Sequence, residues 1–254
     1  MKPIIQFENV SMSFGKLEVL KSLNLSIQEG ETITIIGGSG SGKSVTLKLL
    51  LGVVTPDKGR IYFEGNNIVQ MKEKELVAMR KQFGVLFQGA ALFDSLNVFE
   101  NIAYPLYEHF KYSEQELKSI VSKKLALVGL PKSEKLMPSE LSGGMKKRVG
   151  LARAIATDPK LILYDEPTTG LDPTNTQRIN QLILDLKKNM KITSIVVTHD
   201  MESAFQVSDR IALLKEGKIV SVGTVEEIKN SKDRVVKDFI EGKMKGSEIS
   251  AGGL

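Results

Sequence analysis

The octapeptide Gly37-Gly-Ser-Gly-Ser-Gly-Lys-Ser44 leaves this chain few folds to choose from. It fits the pattern G-x-x-x-x-G-K-[ST] and stands between a buried-looking strand, Ile33 to Ile36, and a helical pattern, Val45 to Leu51. Glycines let successive backbone N–H groups turn inward around phosphate oxygens, and the N-terminus of the following helix adds the positive end of its dipole. On this reading Gly37, Gly38, Ser39, Gly40, Ser41, Gly42 and Val45 build a phosphate cradle. Lys43 reaches the outer phosphates, and Ser44 offers a hydroxyl to Mg²⁺. The competing reading, a glycine-rich turn with an incidental lysine, loses ground as further motifs accumulate.

The rest of the chain supplies an α/β frame for that loop. Ile5, Phe7 and Val10, then Leu23, Leu25 and Ile27, alternate as in a small β-layer, with Glu29-Gly30 as a turn. Arg60 to Phe63 reads as another short strand. Between Asn97 and Pro138 the period becomes helical, with Ser113-Glu-Gln-Glu116 as a capping box and Leu117, Ile120, Val121 and Leu125 on one face. From Ser142 the pattern runs helix to about Ala156, strand Leu161 to Tyr164, helix Gln177 to Lys188 and strand Ile195 to Val197. Uninterrupted apolar strands alternating with helices predict a parallel sheet covered on both faces. Arg210 to Leu214 and Ile219 to Val222, joined through Glu216-Gly217, read as a closing hairpin.

Composition sets outer limits. At 254 residues and 41% apolar content the chain suits one α/β domain with a subdomain. Its longest uncharged stretch, Gln82 to Phe93, falls far short of the about 20 apolar residues of a spanning helix. The start leads directly into strand alternation rather than a signal peptide, so a cytoplasmic chain is expected. Without cysteine there are no disulfides or thiolate metal sites. The net charge of +5 arises from 35 basic and 30 acidic residues that are interleaved, which reads as a solvated surface.

A second chemical motif is the apolar strand Leu161-Ile-Leu-Tyr164, which ends in Asp165-Glu166. An aspartate there suits the Mg²⁺ shell, and a neighbouring glutamate suits a group that polarises attacking water. Alone, such a pair is as often plain surface; beside a phosphate loop it gains meaning.

With Leu141-Ser142-Gly143-Gly144-Met145 the chain resembles the ABC ATPase family, whose signature is LSGGQ. The order of motifs is that of the family: aromatic Phe14, the phosphate loop, Gln88, the signature, Asp165-Glu166, Gly170-Leu171-Asp172, and His199 after the last buried strand. The resemblance covers roughly Ile5 to Gly223. It implies an α/β P-loop NTPase fold with a RecA-like mixed core, an N-terminal antiparallel β-subdomain and a helical subdomain inserted at about residues 89–140. The ATPase domain would fill residues 1–240, with a partly disordered tail over 241–254. ATP and Mg²⁺ are the implied cofactors. The catalytic roles fall to Glu166, His199 and Gln88, and the metal to Ser44, Gln88 and Asp165. Phe14 stacks on the nucleotide unless it is core. Ser142, Gly143, Gly144 and Asp172 face the ATP of a second, head-to-tail protomer, so a homodimer sandwiches two nucleotides. Methionine at position 145, where glutamine is usual, removes an amide but leaves the phosphate contacts intact. His109, inside the helical stretch, reads as surface.

The wording of Phe87 to Leu106 and of Leu141 to Arg153 is similar to the Mce or Mla type of ATPase, which serves lipid transport at bacterial envelopes. That likeness implies a peripheral subunit on the cytoplasmic face of the inner membrane. Its partners would be an integral permease docked at the apolar Phe87 to Leu106 stretch and an Mce-domain protein. The segment Val235 to Gly246 resembles the same group's C-terminal extension. Import of a polar solute such as an amino acid remains the alternative. No nucleic-acid partner is expected, because the short interval from Gln88 to Leu141 leaves no room for a long coiled coil.

Overall fold

The computed structural model describes residues 3–242, so most of the proposed tail, 243–254, lies outside the described residues. The chain opens with β1 (Ile5–Phe14), β2 (Leu17–Ile27) and β3 (Thr32–Ile36), then α1 (Lys43–Leu50), β4 (Lys58–Phe63) and β5 (Asn66–Asn67). A 3₁₀ turn leads to α2 (Glu73–Arg80) and β6 (Phe83–Leu86), followed by α3 (Val98–His109) and α4 (Glu114–Leu127). The second half holds α5 (Gly143–Ala154), β7 (Leu161–Asp165), α6 (Pro173–Met190), β8 (Thr193–Thr198), α7 (Met201–Val207), β9 (Arg210–Lys215) and β10 (Lys218–Thr224). Two short helices, α8 (Val225–Lys229) and α9 (Arg234–Ile240), complete the described chain.

Two sheets result. β2, β1, β4 and β5 form a four-stranded antiparallel layer. The other sheet runs β10-β9-β3-β8-β7-β6, parallel throughout except for the β9/β10 hairpin. Its central strands are buried along nearly their whole length, and their alternation sorts side chains between two cores. Leu161, Leu163, Ile195 and Val197 join α1 and the antiparallel layer, while Ile162, Tyr164 and Val196 join α5 and α6. The helical stretch shares the second core: Val98, Ile102 and Leu106 of α3 and Leu117, Val121 and Leu125 of α4 belong to that cluster. No helix among the described residues is long and apolar enough to cross a membrane.

Sequence and structure differ in detail for identifiable reasons. α6 begins at Pro173, ahead of the apolar period at Gln177, because Asp172 caps it and proline takes the first turn. α2 is mostly charged and exposed, burying only Met79, so it carries little periodicity. β6 spans four residues inside the uncharged Gln82 to Phe93 stretch and reveals itself through pairing with β7.

Candidate active site

Three adjacent parallel strands deliver the chemistry to one edge. Ile36 pairs with Thr198, and Asp165 with Val197, so the loops that leave β3, β7 and β8 emerge side by side. These loops begin with Gly37, Glu166 and His199, and β6 ends in register with β7, placing exposed Gln88 on the same edge. This is the carboxyl end of a parallel sheet, where such folds gather ligands.

The phosphate loop is built by close approach. A Cβ at Gly37 would collide with the Leu214 carbonyl and lie 2.6 Å from Ser41 Oγ. Gly42, at φ +106°, caps α1 in the left-handed region, and a Cβ there would lie 2.7 Å from Leu20 Cδ2. Lys43 donates to the carbonyls of Gly37 at 2.8 Å and Gly38 at 3.1 Å, and its Nζ lies 3.8 Å from Glu166 Oε1. Burial pulls the Lys43 ammonium below its ordinary value, against the attraction of Glu166 and Asp165. Ser41 Oγ is buried and has no hydrogen-bond partner among the described residues.

The acidic pair divides in function of place. Ser44 donates to Asp165 Oδ1 at 3.1 Å. Burial raises the Asp165 carboxyl above the usual range, opposed chiefly by the Ser44 hydrogen bond. Glu166 sits at φ +49°, left-handed backbone that a non-glycine residue rarely takes. Its Oε2 accepts from Thr169 and Thr198 hydroxyls, each at 3.1 Å, and lies 2.9 Å from His199 Nδ1. Neither threonine is marked by any motif, since the signal is their reach to one oxygen rather than their spacing. A third unexpected group, Lys147, donates to the Glu166 backbone carbonyl at 3.2 Å.

Phe14 stands exposed at the end of β1, paired with Leu17, so it is not core. Ser39, Gly38 and Gly40 are exposed in the loop, and Val45 is half-buried on α1. Ser142 caps α5 by accepting from Met145 N at 3.3 Å, and Gly143 is exposed beside it. Gly144 abuts the start of α6: a Cβ there would lie 2.5 Å from Asn175 Oδ1. Asp172 caps α6 by accepting from Asn175 N, and that bond, then the Asn175 amide, holds its carboxyl below the usual range. Among the described residues, no hydrogen bond or ion pair joins Ser142, Gly143, Gly144 or Asp172 to the phosphate loop. Met145 is half-buried against the second core, which accounts physically for a thioether in place of an amide.

A cavity of about 420 Å³ is lined by Arg80, Phe87, Phe93, Tyr104, His109 and Arg153 among others. Of the apolar Phe87 to Leu106 stretch, Ala90, Val98, Ile102, Ala103 and Leu106 are spent on the core, while Phe87, Phe93 and Tyr104 remain exposed.

Comparison with known proteins shows what the chain as a whole is similar to. Residues 20–169 match the family model described as ABC transporter. The chain is 43% identical over 242 residues to the probable ribonucleotide transport ATP-binding protein mkl of Mycobacterium tuberculosis, covering 95% of this chain and 67% of that protein. It is 40% identical over 239 residues to the intermembrane phospholipid transport system ATP-binding protein MlaF of Escherichia coli K12, covering 94% and 89%. A dimeric ATP-binding cassette in a post-hydrolysis state with ADP and Pi superposes at a TM-score of 0.80 and 32% identity, over 87% of this chain and 98% of that one.

Proposed function

The chain belongs to the ABC transporter family as an ATP-binding, ATP-hydrolysing subunit, and we propose that it works as a head-to-tail homodimer on the cytoplasmic face of the inner membrane, energising a permease that moves phospholipid or a related lipid. The observation that carries hydrolysis is the Glu166 carboxylate, held by Thr169, Thr198 and His199 within 3.8 Å of Lys43. Three donors on one oxygen fix the direction of the other, so Glu166 is aimed at the phosphate loop and serves to orient and polarise the attacking water. His199 bridges the edge of the site and senses the γ-phosphate. Phe14, exposed, supplies a face for the adenine ring.

The donor set beside Lys43 is hard oxygen, with Ser44 Oγ and Asp165 Oδ1 3.1 Å apart, and it fits Mg²⁺. Ser44, Asp165 and Gln88 would hold the ion, whose contribution is to neutralise charge on the phosphate oxygens. Ser142, Gly143 and Gly144, which no hydrogen bond or ion pair among the described residues joins to the phosphate loop of their own chain, present a helix N-terminus to the partner's nucleotide. The dimeric cassette structure supports that arrangement. The cavity with Phe87, Phe93 and Tyr104 suits the permease's coupling segment, and an Mce-domain protein completes the complex.

Similarity to MlaF along most of both chains supports the lipid cargo. The name of the mycobacterial relative favours a ribonucleotide instead, and one experiment separates the two. Tagged Glu166→Gln chain, recovered from detergent-solubilised membranes in Mg-ATP, is expected to bring a multi-span permease, an Mce-domain protein and phospholipid. Recovery of a permease with a solute-binding protein and no lipid would move the assignment to polar-solute import.

A further inference from the structure

We propose that Lys147 is a positioning residue for Glu166, and that through it the signature helix of one ATP site controls the catalytic glutamate of the other. The proposal rests on the composite-site reading above and names a coupling between its two halves.

Glu166 is pinned at both backbone poles. Its N–H donates to the Val197 carbonyl at 2.9 Å, and its carbonyl accepts from Lys147 Nζ at 3.2 Å. Between these contacts the residue holds left-handed backbone at φ +49°, a conformation that persists only when its surroundings over-determine it. Lys147 is only 5% exposed, a burial that charged side chains avoid unless partnered. Among the described residues the one hydrogen bond of its ammonium runs to a neutral carbonyl, and the Asp165 and Glu166 charges face it from β7 and the turn beyond. Thus a buried cation on α5 steadies the turn that aims the catalytic carboxylate.

The same helix begins at the signature. Gly143 and Lys147 are one turn apart and share a face of α5. A phosphate gripped by Ser142, Gly143 and Gly144 belongs to the partner's site, whereas Glu166 serves the chain's own. Any tilt of α5 on meeting that phosphate shifts Nζ against the Glu166 carbonyl, so occupancy of one site is felt as backbone geometry in the other.

The test is a series, Lys147→Gln and Lys147→Met, measured in the full chain as hydrolysis per bound nucleotide together with nucleotide affinity and the Hill coefficient for ATP. Glutamine keeps a donor one bond shorter, and methionine keeps volume without a donor. Rates are expected to fall in the order Lys, Gln, Met, by about ten- to hundredfold at Met, with affinity unchanged and the Hill coefficient moving towards one. A lysine with a merely structural role would lower Tm and the bound fraction, yet leave the rate per bound nucleotide and the Hill coefficient alone; that result overturns the proposal. If Lys147→Met does not fold, an unchanged rate and Hill coefficient in Lys147→Gln overturns it equally. Failure of the composite-site reading shows differently: wild-type turnover per chain would then be independent of chain concentration, and the coupling falls with it.

Discussion

At the scale of single residues, the site holds charges where folding alone would not. Asp165 is more easily kept protonated in the fold than in the unfolded chain, because burial raises its carboxyl. It therefore costs stability at pH values above its folded value, and the cost vanishes as pH falls below the unfolded value. Asp165→Asn, without nucleotide, should melt higher than wild type at about pH 7, with the gain shrinking towards about pH 4. Thermal scans across that range check the sign. Lys43→Ala should weaken nucleotide binding, read by titration with a fluorescent ATP analogue, since it removes the ammonium that closes the loop between Gly37, Gly38 and Glu166. The phosphate loop and the acidic pair were legible from sequence because each needs particular residue types at contiguous positions, whereas His199 was read only from its place after the last buried strand in the family's order of motifs. Thr169, Thr198 and Lys147 were not: Thr169 meets Glu166 only through the local turn, and Thr198 and Lys147 only after separate segments converge.

At the scale of elements, two polar anchors fix the helical stretch against the loops beside it. Asn101, fully buried on α3, accepts from Phe93 N at 2.8 Å and donates to the carbonyls of Phe93, Leu96 and Asn97. It thereby shapes the loop that carries exposed Phe93 to the cavity. Asn101→Ala leaves those groups unmatched and should cost about 3 kcal/mol by urea unfolding. It should also reduce permease recovery in the pull-down. The second anchor is the ion pair between buried Lys124 of α4 and exposed Asp158. Here the two partners are unequal. Asp158→Asn tolerates the left-handed backbone at φ +50° but strips a buried ammonium of its counter-charge, about 1–2 kcal/mol. Lys124→Met leaves only a solvated carboxylate and should be nearly neutral, so paired urea melts decide the asymmetry. Capping boxes made the starts of such helices readable, as at Ser113. α2, charged along most of its surface, and β6, defined by its neighbour, offer no period of their own.

At the scale of the whole molecule, the order β10-β9-β3-β8-β7-β6 interleaves strands far apart in sequence and so was not readable from spacing. What sequence did convey was the class of sheet, since strands such as Ile33 to Ile36 and Ile195 to Val197 are apolar without interruption and predict cover on both faces. Mixing of Glu166→Gln chain with Mg-ATP should produce a stable dimer by light scattering, and Lys43→Ala should remain monomeric under the same conditions. That no hydrogen bond or ion pair among the described residues joins the signature turn at Ser142 to the phosphate loop has a consequence in mass action. On the proposed composite site a lone chain owns two unmatched halves, so at low concentration turnover should rise with the square of the chain concentration and then become linear once pairing saturates. Surplus subunits awaiting a membrane partner should then leave the cell's ATP pool nearly untouched, and expression level could exceed that of the permease without a futile drain.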